Sequence, residues 1–180
     1  VLVNREKLSI ELVTNDHDEY LKGSVSGTLE FNSKYKEFGI NSGKVWSPTE
    51  LGMFIKMNRS FFADKTLAMK LTTDLMNFKA TVDNKIERAV QESGSRTDNF
   101  SQVVNSNLPA SFKIVIPIFK GYPAEELEVE TFAQIDGREV SFILLSPGAN
   151  ESLENIRDTA IDAVLEQIKD DFREIVIIEK

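Results

Sequence analysis

The sequence predicts a single α+β domain over residues 1–180, an antiparallel meander packed against two to three helices and closed by a long amphipathic helix and a short strand. Three observations predict it. Apolar residues alternate over several short stretches, as in half-buried strands. Two segments, near residue 50 and after residue 150, instead place them at helical spacing behind capping residues. The 180 residues are enough to bury one core without staples, and there is no cysteine to supply any.

From the start, Leu8, Ile10 and Leu12 alternate with polar neighbours, and Leu21, Val25, Leu29 and Phe31 alternate with Lys22, Ser24, Ser26, Thr28 and Glu30. Both read as half-buried strands. The stretch NDHDE at 15–19 between them has hairpin-loop composition. Asp16, His17, Asp18 and Glu19 suggest a metal site by type. Adjacent strand-end side chains diverge, however, and His17 is the single histidine of the chain, so turn chemistry is the expectation and no metal is assigned.

In SPTE, residues 47–50, Ser47 can cap, Pro48 suits the first helical position and Glu50 can close a capping box. The helix that follows has Leu51, Phe54 and Ile55 as its apolar face, with Met53 and Met57 beside it. A second helix is expected from Asp64, with Leu67, Leu71, Leu75 and Phe78 in register. Beyond Phe78, Val82 and Ile86 fit both a four-residue stagger and an alternation. The β-branched Thr81 and Val82 and the pair Asp83-Asn84 tilt the expectation for 78–91 toward a strand, with a helix as the alternative. Residues 92–110 have loop composition, and Gly94 with Arg96 is a weak phosphate-cradle pattern without the GKS/T that would give it force.

In SFKIVIPIFKG, residues 111–121, Phe112, Ile114, Ile116 and Ile118 share one face of a strand. Lys120 and Gly121 are then its end and a turn, with an anion-binding role for Lys120 as the minority expectation. The next strand carries Leu127, Val129, Thr131, Ala133 and Ile135 on one face and Glu126, Glu128 and Glu130 on the other. Asp136-Gly137 is a two-residue hairpin signal, and counting outward from it sets Val140 against Ala133, Phe142 against Thr131 and Leu144 against Val129. Asn150 is expected to cap a helix through about Asp171. Its buried stripe is Leu153, Ile156, Ala160, Ile161, Val164, Leu165, Ile168 and Phe172, and its other face is acidic. REIVIIE, residues 173–179, reads as a short buried strand, which makes 138–178 a strand-helix-strand unit with a right-handed crossover if both strands share a sheet.

Net charge is -8, unevenly spread. Residues 31–90 hold ten Lys/Arg against six Asp/Glu, whereas 121–180 hold five against fifteen. A general nucleic-acid binder carries a basic surplus, which the whole chain lacks. The absence of cysteine excludes disulfides, thiolate metal sites and cysteine nucleophiles. No apolar run reaches the ~18 residues of a membrane span, and no basic-then-apolar leader opens the chain, so a soluble, cytoplasmic protein without membrane contact is expected. The first residue is Val1, which suggests that a further N-terminal part precedes it.

The succession FKATVDNKIERAV, FSQVVNSNLPASFKIVIPIFKG and VETFAQIDGREVSFILLSPGANE resembles the C-terminal two thirds of a phage and prophage domain family of unknown function, the YfdQ-like proteins. The earlier EFNSKYKEFGINSGKVWSPTELGMFI is similar to that family's aromatic segment and post-serine helix, so the resemblance spans roughly residues 28–170. It rests on pattern and order and carries no active-site residues. It implies phage origin and an intracellular accessory role near recombination, replication or the contest with host defence.

Three functions compete. A binding protein engaging a host or phage protein would use the acidic third, with Glu154, Asp158 and Asp162 as the candidate surface. A nucleic-acid accessory factor would use Lys65, Lys70, Lys85, Arg96 and Lys120. An enzyme would need a nucleophile and base, and no catalytic motif or cofactor signature is present. Binding protein is the leading expectation, and self-association into a homo-oligomer is compatible with it.

Overall fold

A computed structural model of the chain describes residues 1–93, 103–104, 111–136 and 139–180, with only the backbone described for 86–93. The α+β class is as expected, but the strands form two sheets. The first has the order β3-β2-β1-β7, built from β1 (Leu2–Asn4), β2 (Ser9–Thr14), β3 (Gly23–Thr28) and β7 (Ile178–Glu179). The second is the antiparallel meander β4 (Phe112–Pro117), β5 (Ala124–Asp136) and β6 (Glu139–Leu145). Helices α1 (Ser33–Phe38), α2 (Pro48–Met57), α3 (Lys65–Met76) and α4 (Phe78–Ser93) lie between the sheets in sequence, and α5 (Pro147–Asp171) follows the meander.

The meander supplies the main core. Phe112, Ile114, Ile116 and Ile118 are buried together, as their alternation requires, with Leu127, Val129, Phe142 and Leu144 from the neighbouring strands. Helices α2 and α3 cover them with Leu51, Ile55, Leu71 and Leu75. A Cβ on Gly52 would come within 3.3 Å of Leu75 Cβ and Thr72 O, so α2 and α3 approach closely there and only glycine allows it without a shift. Ser47 caps α2 as its sequence promises: its hydroxyl accepts from Glu50 N, and Glu50 accepts in return from Ser47 N. Asp64 accepts from Thr66 N and Leu67 N and so starts α3 where expected. Helix α1 was not foreseen, although its signals are local. Asn32 caps its start, and Gly39, at φ 66°, ends it in the left-handed region.

Five expectations are corrected. Residues 78–93 are helical, not a strand; Phe78 and Val82 are both buried, and a spacing of four fits either period, so packing decides. The β5–β6 register is shifted by two, with Ala133 opposite Phe142, Thr131 opposite Leu144 and Ile135 opposite Val140. A shift of two keeps every side chain on its face, so apolar pattern could not discriminate. The pairing Asp136–Glu139 leaves two residues between the strands, and Gly137, on which the expected turn rests, lies outside the described residues. Helix α5 begins at Pro147 after Ser146, three residues before the expected cap. Asn150 lies inside it, its side chain accepting from Asn41 Nδ2 at 3.3 Å.

The stripe on α5 is also shorter than its pattern. Ala160, Ile161 and Leu165 are buried, but Val164 and Phe172 are exposed. Finally, β7 is two exposed residues pairing in parallel with β1, so β6 and β7 belong to different sheets and no crossover unit forms. The loop expected over 92–110 begins within α4, and residues 94–102 and 105–110, Arg96 included, lie outside the described residues.

An acidic cleft and an arginine clip as candidate functional site

The acidic residues of the last third divide into two groups with different partners. Arg5, just past β1, donates to Asp158 Oδ1 at 3.1 Å, Asp162 Oδ1 at 2.6 Å and Glu179 Oε1 at 2.9 Å. These bonds to Asp162, Glu179 and Asp158 keep the guanidinium charged at any ordinary pH. Arg157 adds two contacts to Asp158, at 2.9 and 3.1 Å. The Asp158 carboxyl is held below the usual carboxylate range, chiefly by Arg157 and then by Arg5. Two of the three expected partner-binding residues, Asp158 and Asp162, are therefore engaged within the chain, where they tie β1 and β7 to α5. Glu154 lies exposed one turn earlier.

The second group is Glu126, Glu128 and Glu130, which alternation places on the outer face of β5. They form one wall of a cleft of about 220 Å³. The opposite wall is the beginning of α5, with Ser146, Pro147, Gly148 and Ser152. Lys113 Nζ pairs with Glu126 at 2.7 Å and Ser111 Oγ donates to Glu128 at 3.0 Å, so the row is neutralised in part. Ser146 makes no side-chain cap to α5, although the residue is only 2% exposed. Asn41 instead binds its backbone on both sides, donating to Ser146 O at 2.8 Å and accepting from Ser146 N at 2.9 Å. The helix start is thus fixed by a residue 105 positions away, so sequence pattern offered the glutamate wall of the cleft but no sign of the wall opposite.

Among the basic candidates, Lys65 and Lys70 are exposed on α3 and Lys85 is exposed on α4. Lys120 sits in the turn after β4, where Gly121 adopts φ 83°. Its ammonium meets Glu30 at 3.3 Å and its N–H donates to Glu30 O at 2.8 Å. The run SFKIVIPIFKG therefore closes structure, with Lys120 held on Glu30. The stretch NDHDE is a turn: Asp18 accepts from Tyr20 N and Leu21 N, and Lys22 pairs with Asp16. Among the described residues, no three His, Asp or Glu side chains are grouped to hold a metal ion, and no helix is long and apolar enough to cross a membrane.

No family model, curated protein or solved structure matches the chain.

Proposed function

We propose that the protein works by binding, and that its partner is a basic segment of another protein laid across the outer face of β5 and the start of α5. The carrying observation is the cleft walled by Glu126, Glu128 and Glu130. Its volume, about 220 Å³, suits one long basic side chain, and among the described residues Glu130 has no pairing like those of Glu126 and Glu128. An extended peptide would place its guanidinium or ammonium on the carboxylates, with a carbonyl near the first-turn N–H groups of α5. Long-range attraction by an acidic third of the chain favours a basic partner's approach and sets partner choice more than affinity. Assignment of the binding surface to β5 in place of Asp158 and Asp162 follows from their engagement by Arg5.

The biological setting proposed is that of a phage or prophage accessory protein acting inside the host cell on a host or phage protein. It is supported by the resemblance of pattern and order described above. The rival reading, nucleic-acid binding through exposed Lys65 and Lys70, has less charge behind it.

Fluorescence anisotropy separates the two readings. An arginine-rich peptide is expected to bind with an affinity that falls with salt, and Glu128→Lys with Glu130→Lys is expected to abolish it, while single-stranded DNA binds poorly. Peptide binding indifferent to the double reversal, or salt-sensitive sub-micromolar DNA binding lost on replacing Lys65 and Lys70 by Ala, would overturn the proposal.

A further inference from the structure

Backbone hydrogen bonds closing the sheet edges differ between the two sheets. The β4 edge is met by Ala63 N, which donates to Lys113 O at 3.0 Å. The β6 edge is met by Trp46, which exchanges two 2.8 Å bonds with Phe142, and by Asn41 N donating to Leu144 O. In the other sheet, β7 is a two-residue edge beside the Arg5 ion pairs. Among the described residues, no such cover meets the β3 edge. Leu29 N donates inward to Leu8 O, and by alternation so do the backbone groups of Val25 and Gly27, leaving those of Ser24, Ser26 and Thr28 turned outward. Glu30, in the same phase as these, already accepts on that side from Lys120 N. Pairing along this edge is begun by the chain itself and stops at Glu30.

Edges of this kind are ordinarily guarded by charge, proline or a bulge. The strand GSVSGT has no charged residue and no proline, and its six pairs with β2 run without a bulge. Apolar side chains are open beside it: Tyr20 is 96% exposed, Leu21 67% and Val25 71%, with Leu12 directly opposite Val25 also open.

We propose that β3 is a strand-addition site whose occupant is β3 of a second copy of this chain, paired antiparallel about Val25. An uncharged strand complements an uncharged strand, so two copies with a net charge of -8 each can meet along a segment that itself carries no charge. The ends of the strand carry opposite signs, Lys22 before it and Glu30 after it. Antiparallel self-pairing brings Lys22 of each copy, with its partner Asp16, diagonally near Glu30 of the other, itself met by Lys120, so that two ion pairs adjoin twice by symmetry, whereas parallel pairing in register would set Lys22 on Lys22 and Glu30 on Glu30. Val25 then faces its own copy as a non-hydrogen-bonded pair, and Ser24 and Ser26 exchange the outward bonds. Leu12 and Val25 lie on the face that also carries Val3 and Ile10 under α5, so the apolar strip that α5 leaves open becomes continuous across the two-fold axis.

The chain has no cysteine, so Val25→Cys supplies a single thiol at the proposed axis. Under mild oxidation it is expected to form a disulfide dimer rapidly, while Lys65→Cys, on exposed α3, does not. Sedimentation velocity of the parent is expected to show a monomer–dimer equilibrium that Val25→Lys shifts to monomer without changing the circular dichroism or the melting temperature. A parent that stays monomeric at the highest concentrations reached, Val25→Cys crosslinking no faster than Lys65→Cys, or a dimer that survives Val25→Lys would each overturn the assignment.

Discussion

The two sheets are stabilised by different means. The meander β4-β5-β6 buries rings from every side. Phe142 meets Phe78 edge-on at 5.2 Å, as Phe38 meets Phe54 at 4.9 Å, Phe62 packs tilted against Phe112 at 5.0 Å, and the strand edges are closed by neighbouring segments. The sheet β3-β2-β1-β7 buries little: Val3 with Ile161 and Leu165 of α5, flanked by Val1, Ile10 and Ile177. It is attached through Arg5, through Leu8 and Leu29, which pack against the main core, and through the terminal ladder, in which Ile178 N donates to Val1 O and Lys180 N to Val3 O, both at 2.8 Å. Apolar area removed from water scales with what is buried, so the first unit is a stable platform and the second a weakly anchored appendage of the same chain. The proposed cleft stands on the platform, which suits a site needing fixed geometry. The proposed self-pairing edge stands on the appendage.

Breaking the platform gives the largest effect. Phe142→Ala removes a fully buried ring that packs edge-on against Phe78, and is expected to cost about 3–5 kcal/mol in denaturant unfolding. All probes should shift together, since both units rest on this core. Loss of structure confined to residues 1–14 would instead show that the two units had been ranked the wrong way round.

Breaking the clip is expected to cost less and to act locally. Arg5→Ala deletes three charge-assisted contacts that are partly open to solvent, with the Arg5 side chain 27% exposed, so screening limits the loss to about 1–2 kcal/mol. The loss is expected to shrink at high salt. Hydrogen exchange should speed up in β1, β2 and β7 while β4 and β5 stay protected. A uniform acceleration would mean that the small sheet is coupled to the platform more tightly than its three-residue core implies.

This division explains what the sequence could reveal. The platform was legible where its signals are local or strictly periodic: Ser47 with Glu50, Asp64 before α3, and the alternation of Phe112 through Ile118. It became ambiguous where two structures share a spacing, as for Phe78 and Val82, and where the strand register can slide by two without moving a side chain to the other face. The appendage was hardly legible. β1 is three residues long and has meaning only beside β2 and β7, and the partners of Arg5 lie 153 to 174 positions away. For the same reason Asp158 and Asp162 passed for a free acidic surface. The cleft was half visible: alternation put Glu126, Glu128 and Glu130 on one face, but nothing local says that α5 starts against them.

Within the platform, Ser47→Ala tests whether its helices depend on their caps or on packing. The substitution removes the acceptor for Glu50 N and the hydroxyl that donates to the Glu50 carboxylate at 2.7 Å and helps to hold it below its usual range, while the backbone N–H of residue 47 still donates to Glu50. A cost of about 1 kcal/mol is expected, read as a lowered denaturant midpoint with unchanged slope. No change at all would indicate that burial of Leu51 and Ile55 positions α2 without the cap.

The smallest expected effect sharpens the comparison most, because it should be visible in the appendage and absent from the platform. The folded Asp158 carboxyl is depressed by Arg157 and Arg5, whereas in the unfolded chain it titrates near the ordinary value of about 4. A group with a depressed folded value binds fewer protons folded than unfolded, so its contribution is fully present above the unfolded value and disappears as pH falls through the folded one. Arg5 keeps its charge throughout, so acid acts on the clip through the carboxylates. Asp158 is 42% exposed, and solvent screening keeps its share below about 1 kcal/mol. Melting curves of the parent and Asp158→Asn at pH 7 and pH 3 isolate it from the other titrating carboxylates. The variant is expected to melt lower than the parent at pH 7 and to differ less from it at pH 3, with the difference confined to probes in β1 and β7. An equal gap at both pH values would show that the clip contributes by shape and hydrogen bonding and not by charge.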